Sequence, residues 1–139
     1  MTLVIDASVA LKWFLQEAGS DEAAALLDRE DLLIAPDLIV AEVCNAGWKA
    51  VRAGTALAQQ LEVAAARLPA VLDELVPLRA LAADAAAASL ALDHPAYDCF
   101  YLALAAQRDA RLVTADRRLL RPVADTRWAR YVVALSAAR

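Results

Sequence analysis

Short apolar runs recur along the chain, and each closes on a polar or turn-forming residue. Leu3-Val4-Ile5 stops at Asp6, Leu32-Leu33-Ile34-Ala35 at Pro36, Leu75-Val76 at Pro77 and Leu112-Val113 at Thr114, while Tyr131-Val132-Val133-Ala134 follows Arg130. Unalternating runs of this kind, rich in β-branched residues, belong to strands covered on both faces, as in a parallel sheet. The intervening segments are helical in character. Residues 9–16 offer Val9, Trp13 and Leu15 to a core, and Ser20 is placed as the N-cap of a helix over 21–29 with acids in its first turn. A long helix over 37–53 has Gly54 in the stop position. Thr55 can cap a helix running to Leu68, where Pro69 is expected to break it. Helices over 78–92 and 96–108 flank Asp93-His94-Pro95, and a brief one follows Asp116 to Leu120. The alanines at 85–88 do not prevent packing of the first of these, because Leu78, Leu81, Leu90 and Leu92 keep it amphipathic. Strands alternating with helices predict one three-layer α/β/α domain over 1–139, with about five parallel strands.

Composition narrows the function less than the distribution of charge does. The chain is 61% hydrophobic and 23% charged, which is globular rather than disordered. No uncharged apolar run reaches the roughly 18 residues of a membrane span, and no basic leader precedes Asp6, so a cytoplasmic location is expected. The net charge of −4 argues at first against a nucleic-acid partner. Residues 1–110, however, carry 7 basic and 16 acidic side chains, whereas 111–139 carry 7 arginines against 2 aspartates. Cys44 and Cys99 have no metal-ligand or redox spacing and read as plain buried thiols. The single histidine, His94, reads as a turn or helix-cap residue rather than a catalytic base.

The candidate chemistry lies in four carboxylates. Asp6 ends the first strand, and Asp116 follows the fourth. Glu42 and Asp98 lie early in the helices over 37–53 and 96–108. Helices entered from the carboxyl edge of a sheet have their first turns there, at the edge where open α/β sheets bind ligands. All four acids are therefore expected at one end of the molecule. Two carboxylates about 4 Å apart repel by roughly 4 kcal/mol at an effective dielectric of about 20, so such a set calls for a cation between its members. Hard oxygen donors without His or Cys suit Mg²⁺ or Mn²⁺. An ion held this way can activate water against a phosphodiester and screen the leaving oxygen. Ser8, Asn45 and Thr114 are placed to support the acids. Arg117, Arg118 and Arg121 flank Asp116 and are candidates for RNA phosphate contacts, with Arg111, Arg127 and Arg130 behind them. Lys12-Trp13-Phe14 reads either as a stacking patch for single-stranded RNA or, preferably, as core aromatics beside a snorkelling lysine.

At these residues the sequence resembles the PIN-domain ribonucleases, and most closely the VapC-type toxins of toxin–antitoxin pairs. The matching pieces are Val4-Ile5-Asp6-Ala7-Ser8, Pro36 with Glu42 and Asn45, Ala96-Tyr97-Asp98-Cys99-Phe100-Tyr101-Leu102-Ala103-Leu104-Ala105, and Leu112-Val113-Thr114-Ala115-Asp116-Arg117-Arg118-Leu119. The resemblance implies a PIN-like fold, Mg²⁺- or Mn²⁺-dependent endoribonuclease activity, a homodimer and neutralisation by a cognate antitoxin that places a basic side chain in the acidic pocket. It also implies that Asp6, Glu42, Asp98 and Asp116 form the site, with Asp6 and Asp98 the foremost metal ligands. The rival from another class is a catalytically silent metal-binding module for protein–protein interaction, for which the high apolar fraction speaks. A phosphotransfer domain is disfavoured, since the chain has no Asp-x-Asp pair and no lysine after a late strand.

Overall fold

A computed structural model of the chain describes residues 1–138; Arg139, the last arginine of the basic tail, lies outside them. Five strands, β1 (Thr2–Ile5), β2 (Leu32–Pro36), β3 (Glu74–Val76), β4 (Arg111–Thr114) and β5 (Val132–Ala134), form one parallel sheet in the order β3-β2-β1-β4-β5. The apolar runs occupy its centre: Val4 and Ile5 of β1 and Leu112 and Val113 of β4 are wholly buried. Seven α-helices connect the strands: α1 (Ala7–Ala10), α2 (Ser20–Leu27), α3 (Leu38–Arg52), α4 (Ala58–Val71), α5 (Ala82–Leu92), α6 (Ala96–Arg108) and α7 (Arg117–Val123). α1 packs on α2 and α3, and α3 on α4, while α6 packs on α5 and across β1, β2 and β4. With right-handed crossovers the two sets cover opposite faces, giving the three-layer architecture expected.

Some local expectations change. Gly19, not Ser20, occupies the N-cap of α2, with φ of 88° that a glycine tolerates. The Ser20 hydroxyl donates instead to the Leu15 carbonyl and accepts from Glu17 N–H, tying the loop to the helix. Pro69 does not end α4, which runs on to Val71; a proline this near a C-terminus forfeits only one helical hydrogen bond. Leu57, whose N–H donates to the Gln60 side chain, starts that helix in place of Thr55, whose hydroxyl donates to the Ala50 carbonyl. In α5 the buried residues are Ala85 and Ala88, while Leu90 is 85% exposed. The alanines therefore form the packed face and let α5 lie close to α6. Gly54 does stop α3, at φ of 78°. The segment at residues 11–13 tightens to a 3-10 turn, in which Trp13 donates its indole N–H to the Ala23 carbonyl and Phe14 packs on the core. The aromatics of this segment are thus partly buried against the core, and Lys12 pairs with Glu17.

Candidate metal centre

Parallel register builds the site. Ile5 lies beside Val113, so Asp6 and Thr114 follow as neighbours at the carboxyl ends of β1 and β4, and Asp6 N–H donates to the Val113 carbonyl to extend the ladder. Asp6 opens α1 with its backbone only, and its carboxylate makes no cap. Instead Oδ2 accepts from the hydroxyls of Ser8 and Thr114, the latter at 2.9 Å. Those hydroxyls in turn accept from Ala115 N–H and Asp116 N–H, each at 3.0 Å. Two strand ends are thus clamped around one carboxylate oxygen.

The same arrangement recurs at two more acids. Glu42, in the second turn of α3, accepts through Oε1 from the hydroxyl of Tyr101 at 2.7 Å, and Tyr101 on α6 is wholly buried. Asp98, in the first turn of α6, engages His94 Nε2 through Oδ2 at 2.6 Å. In each of the three, one carboxylate oxygen is held and the other has no protein hydrogen bond among the described residues. Asp116 differs. It caps α7 by accepting from Arg118 N–H, and both its oxygens also receive the Arg118 guanidinium.

Electrostatics follow this geometry. Burial pushes the Asp6 carboxyl up from its ordinary value; its hydroxyl donors oppose this, and the charges of Asp98 and Asp116 add to it. Burial also raises Glu42, against the Tyr101 bond and together with Asp6 and Asp98. Burial acts upward on Asp116 too, but the bonds and charge of Arg118, with a contribution from His94, carry it below its ordinary value. Tyr101 is pushed far up by burial and by the charges of Asp6 and Glu42, so its hydroxyl stays a donor. Burial and Asp98 push the Cys99 thiol up to about 11; both cysteines are free thiols, Cys99 buried as expected and Cys44 only partly so.

All four acids line one cleft of about 680 Å³, together with Ser8, Asn45, His94 and Tyr97 and the cations Lys12, Lys49 and Arg118. Asn45 is exposed there and makes no hydrogen bond to Glu42 among the described residues. Of the three arginines near Asp116 only Arg118 lines the cleft, and Arg117 and Arg121 point elsewhere on the surface. Arg111 begins β4 at the far edge of the sheet, while Arg127 and Arg130 lie over the rings of Trp128 and Tyr131. Lys12 belongs to the Lys12-Trp13-Phe14 segment that the sequence offers for RNA, whereas Lys49 carries no sequence signal of its own. Lys49 is recognisable only once α3 is known, because it lies two turns beyond Glu42 on the same face. His94 and Tyr101 were also not singled out as holders of the acids, although they lie four residues before and three after Asp98.

Among the described residues, no three His, Cys, Asp or Glu side chains stand close enough to form a ready ligand cage. Each of the four carboxylates has a protein partner, a hydroxyl for Asp6 and Glu42, the imidazole for Asp98 and the Arg118 guanidinium for Asp116. Their chemistry still fits a hard divalent ion. Asp6, Glu42 and Asp98 all line one cleft, and each has one oxygen fixed and one free of protein hydrogen bonds among the described residues.

The sequence matches the PIN domain family over residues 3–124. The fold is similar to that of PAE2754 from Pyrobaculum aerophilum, with a TM-score of 0.65 at 19% identity, covering 98% of this chain and 85% of that one. It is also similar to VapBC2 from Rickettsia felis, solved bound to a DNA fragment from their promoter, with a TM-score of 0.64 at 11% identity, covering 96% and 98%. No curated protein matches. Among the described residues no helix is long and apolar enough to cross a membrane.

Proposed function

From the premise that the chain belongs to the PIN-domain family, whose members are generally nucleases, we propose that it is a Mg²⁺- or Mn²⁺-dependent endoribonuclease and the toxin of a toxin–antitoxin pair. The observation that carries this reading is the shared design of Asp6, Glu42 and Asp98, which line a common cleft and are each fixed through one oxygen while the other makes no protein hydrogen bond among the described residues. These three would hold the cation, and Asp116 would join them by exchanging its Arg118 partner. The bound ion supplies Lewis acidity that activates water and offsets charge on the scissile phosphate. Water is the attacking group in this reading, and the hydroxyls of Ser8 and Thr114, which donate to Asp6, serve to hold that carboxylate. Lys49, Lys12 and Arg118, which line the cleft, would meet RNA phosphates there, with Arg117 and Arg121 serving a longer strand outside it. An antitoxin with a basic side chain would find the same acidic cleft complementary, and the fold likeness to VapBC2 supports such a partner. The toxin would act as a homodimer, as its resemblance to that group implies. Incubation of purified protein with structured RNA tests the reading. Cleavage that needs Mn²⁺, stops with chelator and is lost in Asp6→Asn supports it; cleavage indifferent to chelator and to that substitution sinks it.

A further inference from the structure

We propose that His94 is a positioning residue for metal capture, holding back one oxygen of Asp98 so that the other is presented to the cleft. The inference rests on the metal-nuclease reading. Asp98 would otherwise be the one acid of the inner three without a holder, since the other two are held by hydroxyls. The backbone of His94 is pinned on both sides. Its N–H donates to the Ser89 carbonyl at 3.2 Å, and its own carbonyl accepts from the Ser89 hydroxyl at 2.6 Å. Asp93 before it turns in the left-handed region at φ of 49°, closing α5, and Pro95 after it opens α6. The imidazole therefore rises from a rigid turn, and only 10% of its side chain is exposed.

Nε2 lies 2.6 Å from Asp98 Oδ2. A carboxylate oxygen can only accept, so Nε2 carries the hydrogen, and this ring nitrogen has no lone pair to give a metal. Through Nε2, therefore, His94 orients Asp98 and does not coordinate the metal. Groups in this position typically change metal affinity 10- to 100-fold when removed.

Because His94 is the only histidine in the chain, its ring gives a single set of resonances. The experiment measures Mn²⁺ affinity by calorimetry on metal-free protein without RNA, for the wild type, His94→Gln, His94→Asn and His94→Ala. A glutamine amide nitrogen reaches the place of Nε2, whereas that of asparagine reaches only the place of Nδ1. His94→Ala and His94→Asn should weaken Mn²⁺ binding about tenfold or more, and His94→Gln should stay within about threefold of wild type. The Nε2 proton should persist in ¹⁵N spectra as Mg²⁺ is added. Wild-type affinity in His94→Ala, equal losses in the Gln and Ala variants, or loss of the Nε2 proton on metal addition overturns the inference alone. A wild type that takes up no Mn²⁺ overturns the metal-nuclease reading and this inference with it.

Discussion

On the wall of the cleft built by β1, α3 and α6, carboxylates are fastened by donors in or near the interior. Thr114 and Tyr101 are wholly buried, and the His94 side chain is nearly so. On the wall built by β4 and α7, Asp116 gives both oxygens to Arg118, whose side chain is 89% exposed. A buried donor already held in place keeps its carboxylate oriented whatever enters the cleft. An exposed guanidinium is a loosely held counter-ion, of the kind whose pairing contributes little in water, and a stronger cation can displace it. The inner wall is therefore built to present ligands, and the outer wall to exchange them.

The widest separation between the walls should appear in catalysis. Asp6→Asn and Asp98→Asn should reduce Mn²⁺-dependent RNA cleavage on the order of 10³-fold, the loss expected when several kcal/mol of metal-borne stabilisation disappear. Asp116→Asn should cost about tenfold, one such increment in the barrier. Equal losses at Asp6 and Asp116 would remove the distinction. Next in size is Tyr101→Phe, which leaves the Glu42 carboxylate half-buried without its donor. It should lower folding stability in urea by about 1–3 kcal/mol and slow cleavage, and an unchanged unfolding midpoint would show that the hydroxyl holds nothing.

Protonation probes the inner wall without mutation. Asp6 and Glu42 lie above their ordinary values of 3.8 and 4.5, so the folded state binds these protons more tightly than the unfolded chain does. The cost of burying their charge, with a smaller like-charge contribution, is fully present at neutral pH and is relieved as pH falls through their raised values. Asp116, held below 3.8, opposes this only at lower pH. The melting temperature of metal-free protein should rise as pH is lowered from neutrality towards the ordinary carboxylate values, and Asp6→Asn should flatten that rise. A steady fall over the same interval contradicts the account. The smallest effect belongs to Arg118→Ala, which frees Asp116 and should tighten Mn²⁺ binding about two- to threefold by calorimetry, as expected for removal of a weak, exposed competitor. Weaker binding would mean that Arg118 supports the site.

Much of the frame was legible from the chain because burial on both faces writes itself as uninterrupted apolar runs. The strand ends then followed, and with them the gathering of Asp6, Glu42, Asp98 and Asp116 at one edge. What could not be read was which oxygen each acid keeps and which it gives away. That depends on contacts between distant segments, such as Tyr101 with Glu42 across 59 positions. His94 looked like punctuation before a proline; its turn geometry aims the ring one helical turn forward, and no local pattern encodes that aim. Leu90 failed for the opposite reason. Its hydrophobicity predicted burial, but the close approach of α5 and α6 favours the smaller Ala85 and Ala88. Arg117 and Arg121 were grouped with Arg118 by adjacency, and the helical rotation of α7 separated them from the cleft.

The most direct test is anomalous diffraction from crystals of the protein equilibrated with Mn²⁺. A peak is expected in the cleft within about 2.1 Å of the open oxygens of both Asp6 and Asp98, with His94 still bonded to the other Asp98 oxygen. A Mn²⁺ peak remote from both aspartates, in protein that cleaves RNA, would contradict it.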